Sequence, residues 1–143
     1  MKKILTIVLM LLCFVSKAQT KSKPKQSNEV NTTYYDMFKE TVTAEKIFFD
    51  AFTHADMYAR GIYMKDANDC ANRAETYFLK LESELAKRLT KQEFDDLKGW
   101  IGMLQRETGK NAEDVGDNTP ATFAVVSTIM DVRLAKMAPK ILR

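Results

Sequence analysis

The chain has 143 residues, with 22 lysines and arginines against 19 aspartates and glutamates, one histidine and two cysteines. The net charge of +3 falls to 0 once the N-terminal segment read below as a signal is removed, and a near-neutral chain carries no nucleic-acid footprint. The length suits one domain with a core of its own.

The N-terminus opens with Lys2 and Lys3, followed by an apolar run from Ile4 to Val15 interrupted only by Thr6, then Ser16, Lys17 and Ala18. A basic start, an apolar stretch and small residues before a cut after Ala18 make a secretory signal peptide over 1–18. The run is 12 residues long, short of the roughly 20 that a bilayer span needs, so no transmembrane span is expected in the mature chain. Lipidation at Cys13 wants a small residue before it, and Leu12 stands there. Cleavage removes Lys2, Lys3 and Lys17 and leaves 19 basic against 19 acidic residues. It also removes Cys13, so the exported chain keeps one thiol, Cys70, and no internal disulfide. Residues 19–30 are polar, with Val30 their one apolar side chain, and read as a short flexible tether.

A single domain is expected over 31–143. Helix 1 is expected to start near Thr32 or Thr33, with Tyr34, Phe38, Phe48, Phe52, Ala55, Ala59 and Ile62 on one face. The β-branched Thr41, Val42 and Thr43 mark a place where it can kink. Gly61 can end it, or it can run on to Lys65. Asp66 is the expected cap of helix 2, whose stripe is Cys70, Ala74, Tyr77 or Phe78, Leu81, Leu85 and Leu89. Thr90 and Glu93 form a capping box that starts helix 3 with almost no loop. Helix 3 carries Phe94, Leu97, Ile101 and Leu104, and Gly109 stops it. After the polar loop Gly109–Pro120, Thr119 and Pro120 open helix 4, with Phe123, Val126, Met130, Leu134 and Met137 in phase and Pro139 as its end. The fold class is all-α: an antiparallel bundle of about four helices after a cleaved signal and a short tether.

Three features invite a chemical reading. Asp50, His54, Met57, Gly61 and Met64 share one face of a continuous helix, and imidazole with thioether ligands suits copper in an exported protein. Copper titration followed by a thermal melt tests that metal site at Asp50, His54, Met57 and Met64. Trp100 lies between Gly99 and Gly102, where two missing side chains leave room for another helix or a partner beside the indole. Glu45 falls on the apolar face of helix 1, where a carboxylate must pair or reach out to water. The acidic loop residues Glu113, Asp114 and Asp117 lack the ligand spacing of an EF-hand. No phosphate-binding glycine loop, haem attachment motif, metalloprotease histidine pair or G-x-S-x-G elbow occurs, so no enzymatic activity and no cofactor are expected.

The segment AETYFLKLESELAKRLTKQEFDDLKGWI, from Ala74 to Ile101, resembles small exported helical proteins of the lysozyme-inhibitor type, which carry a Tyr–Leu–Leu helix before a Trp-bearing helix. The resemblance covers about a quarter of the chain. The paired cysteines and the Trp–aromatic–Arg pattern of that type are missing. The expected role is binding of another exported or envelope protein, as inhibitor, adaptor or accessory, through Trp100, Gly99 and Gly102. The alternative is a periplasmic metal-binding protein.

Overall fold

The computed structural model describes the backbone of residues 25–53, 56–115 and 119–141, and the side chains of 31–52, 56–115 and 121–141. The signal peptide and residues 19–24 of the tether lie outside the described residues; residues 25–30 are helical and open the first helix ahead of the expected Thr32 or Thr33. Four helices pack together: α1 Lys25–Thr53, α2 Met57–Arg88, α3 Lys91–Thr108 and α4 Thr119–Ile141, with a 3-10 turn at Ala112–Asp114 before α4. Among the described residues there is no strand, and no helix is long and apolar enough to cross a membrane.

The expected stripes of the last three helices form the core. Cys70, Ala74, Phe78, Leu81, Leu85 and Leu89 are buried on the α2 side, Leu97, Trp100, Ile101 and Leu104 on α3, and Phe123, Met130, Leu134 and Met137 on α4. From α1 come Tyr34, Met37, Phe38, Ala44, Phe48 and Ala51. Burying a large apolar side chain such as Phe48 stabilises by about 1.5–3 kcal/mol.

The helix ends show which local signals win. The capping box forms: Glu93 N–H donates to Thr90 Oγ1 at 3.3 Å, and Thr90 N–H donates to Glu93 Oε2 at 2.9 Å. Gly109 caps α3, with its N–H on Gln105 O at 2.9 Å. α1 does not break at Thr41–Thr43, because Thr41 is buried and its hydroxyl donates to Met37 O at 2.8 Å, keeping the polar group satisfied inside the helix. α4 continues past Pro139 to Ile141. A proline this close to the end disturbs only the last turn, and Arg88 Nη1 donates to the terminal Ile141 O at 2.5 Å.

The largest correction is at the first corner. The expected turn at residues 61–66 is uninterrupted helix, and the chain turns before Met57 instead. Asp56, with extended backbone at φ −78° and ψ 117°, is the cap, and its carboxylate accepts from Tyr58 N–H at 2.9 Å. A side-chain cap is worth about 1 kcal/mol, which offsets the similar cost of holding Gly61 inside a helix. Asp66 therefore stands exposed in the third turn of α2. Ile62, expected in the core stripe, is 48 % exposed because it belongs to the phase of α2 and not of α1.

Candidate functional site

The corner places a cleft at one end of the bundle. Its volume is about 570 Å³, within the range of small-ligand pockets. One wall is the first three turns of α2, with Met57, Tyr58, Gly61, Met64 and Lys65. The other is the end of α3 and the loop behind it, through Lys110, Asn111 and Glu113. Tyr58 is 78 % exposed and Met57 43 %, whereas Met64 is 2 % exposed at the base.

The two walls are fixed by a polar seam between α2 and α3. Asn68 Nδ2 donates to Gln105 O at 3.1 Å and to Thr108 Oγ1 at 2.9 Å. Thr108 in turn donates to Leu104 O at 2.7 Å, so this buried hydroxyl is satisfied. Asn72 Nδ2 donates to Asn68 Oδ1 at 3.0 Å, and Gln105 Nε2 donates to Asn72 Oδ1 at 2.9 Å and Glu75 Oε2 at 2.7 Å. Gly109 has to be glycine here. A Cβ would stand 2.9 Å from Gln105 O and 3.4 Å from Asn68 Nδ2, inside the seam. Lys110 pairs with Glu107 at 2.5 Å. Lys65 is exposed at the opposite wall and adds a second cation.

The residues expected to bind metal are now placed. Asp50 is half-buried on α1, Met57 and Met64 lie on the cleft wall of α2, and His54 lies outside the described residues. The single helical phase that aligned all four is interrupted at Asp56. Met57 and Met64 are two turns apart, about 10 Å of helical rise. Among the described residues, no three His, Cys, Asp or Glu side chains gather as a metal-binding group. Cys70 is buried, with Arg73 Nη2 donating to its sulfur at 3.0 Å, and burial raises its pKa above the ordinary thiol value.

Trp100 is 3 % exposed and stacks on Phe123, ring centroids 5.7 Å apart, so the indole belongs to the core. Its Nε1 has no hydrogen-bond partner among the described residues. No helix crosses closely at Gly99 or Gly102: a Cβ at either would meet nothing within 4 Å. Surface apolar groups lie elsewhere. Val125, Ile129 and Val132 form one exposed stripe on the outer face of α4, and Met57 and Tyr58 rim the cleft.

Among the described residues, Glu45 is the buried acid. It is 5 % exposed, Ser127 Oγ donates to its Oε1, and Oε2 has no hydrogen-bond partner among the described residues. Burial pushes its pKa from the usual 4.5 up to about 8; the Ser127 hydrogen bond lowers it somewhat and the nearby Asp131 raises it. Asp131 is itself raised by burial.

Of the cleft residues, Tyr58, Lys65, Asn68, Lys110 and Asn111 were not distinguished by sequence reasoning. Asp56 immediately before Met57 and Tyr58 was the signal available: a capping side chain at the start of an apolar-periodic run. No protein-family model, curated protein or solved structure matches the chain.

Proposed function

We propose that this chain works by binding another macromolecule at the corner cleft, as an inhibitor, adaptor or accessory of an exported or envelope protein. One observation carries the reading: a cleft of about 570 Å³ with Tyr58, 78 % exposed, at its rim. A large aromatic left in water beside a concavity loses a solvated apolar face when a partner covers it, and tyrosine is a common anchor of such contacts. Methionine adapts its shape to irregular partners, which suits the exposed Met57 to the rim of the cleft. Export by residues 1–18 is part of this reading and brings the domain to such partners.

A photo-crosslinking amino acid placed at position 58 tests it in envelope extract, with position 79 as control. Leu79 is also exposed, at 57 %, but lies outside the cleft lining. A discrete adduct from position 58 and none from position 79 is expected. Equal labelling from both would remove the cleft as the binding face.

A further inference from the structure

We propose that Glu45 is a proton-operated latch on the N-terminal half of α4, closed while its carboxyl is neutral and released when the carboxyl ionises. The seam between α1 and α4 is apolar around this residue. Phe48, one turn after Glu45, meets Phe123 edge-on at 4.6 Å, and Phe123, one turn before Ser127, stacks on Trp100 of α3. Into this layer α1 projects one carboxyl group, and Ser127 of α4 donates to it from across the seam.

A neutral carboxyl is tolerated there and a carboxylate is not. An ionised group has about four acceptor sites to satisfy, and Oε2 has no donor among the described residues. The groups acting on Glu45 are Ser127 and Asp131, both on α4, and Asp131 adds like charge when it ionises. No cation is among the groups acting on Glu45. Arg73 of α2 holds Glu40 of α1 at 3.0 Å, and Arg133 of α4 holds Asp96 of α3 at 2.7 Å. Ionisation in place leaves a buried charge without a counter-ion, which favours opening the seam to water.

The two halves of α4 are held differently, and this decides where the opening occurs. The C-terminal half is tied by charge: Arg133 to Asp96, Lys140 to Glu93, and the Ile141 carbonyl to Arg88. The N-terminal half is held by Phe123, Met130, the half-buried Val126 and the Glu45–Ser127 contact. Release therefore swings residues 119–130 outward and leaves 131–141 seated, uncovering Phe123 and Trp100.

Hydrogen exchange on the full mature chain, read as protection factors corrected for the intrinsic rate, tests the latch. Opening through ionised Glu45 grows about tenfold per pH unit between the unfolded and folded titration points. Protection of 119–130 is expected to fall by about that factor per unit from pH 6 to pH 8, and protection of 131–141 to hold. In Glu45→Gln, which keeps the shape and cannot ionise, the fall is expected to vanish. Constant protection of 119–130 in the wild type, or the same fall in the variant, overturns the latch. Should the variant not fold, the carbon-13 titration of Glu45 in the wild type decides. A midpoint two units or more above that of a solvated glutamate supports it, and a smaller displacement overturns it.

Discussion

Glu45 and Glu93 show two acids shifted in opposite directions by their surroundings. Glu93 is pulled down to about 2 by its bond to Lys140 and by the Thr90 backbone, so its contribution to stability is present above about pH 4.5 and lost as pH falls towards 2. Glu45 stands at about 8 instead of 4.5. The folded chain then keeps a proton that the unfolded chain releases, so stability falls as pH rises from about 4.5 to 8 and levels off above. The whole effect is at most about 3–5 kcal/mol by the linkage of one pKa unit to 1.36 kcal/mol. At the same scale the glycines divide. Gly99 and Gly102 sit in α3 with open space beside them. Gly99→Ala and Gly102→Ala should each raise stability by up to about 1 kcal/mol in a urea melt. Gly109→Ala should lower it, because the new methyl group displaces Asn68 or the Gln105 carbonyl. A loss of stability at position 99 or 102 would show that something does approach the indole from that side.

At the scale of elements, the first corner rests on Asp56. Asp56→Ala should cost about 1 kcal/mol, read as a lower melting temperature, with the loss of exchange protection concentrated in the first turn of α2. Unchanged protection there would mean that packing, not the cap, places the corner. The stripes of α2, α3 and α4 were legible from the sequence because each is amphipathic over several turns and bounded by a strong signal: the Thr90–Glu93 box, Gly109, Thr119. The corner was not legible for a physical reason. Asp56 and Asp66 are both competent caps, and Gly61 between them weakens a helix without forbidding it. Choosing Asp66 turned the residues from 57 to 65 into the end of the wrong helix, and with them the exposure of Ile62 and the metal stripe. Pro139 was misread in a milder way: a proline near the end of a helix costs one backbone hydrogen bond and the last turn can still form, and Arg88 separately serves the Ile141 carbonyl at that end. Glu45 could be flagged from its phase, but its burial depended on Ser127 and Asp131, some 80 residues away.

For the molecule as a whole, the cleft is a product of tertiary structure. Its walls, Met57–Lys65 and Thr108–Glu113, are far apart in the chain and meet only because α2 and α3 are locked by Asn68, Asn72 and Gln105. That rigid back wall supports binding without reorganisation, which limits the entropy lost on association. The outer stripe of α4, with Val125, Ile129 and Val132, is the competing surface. Amide chemical-shift mapping separates the two most directly, by titrating the labelled domain with the partner captured at position 58. Binding at the corner is expected to perturb amides over 57–68 and 108–113 and to leave residues 121–135 little changed. Perturbations confined to 121–135, with the corner silent, would contradict it.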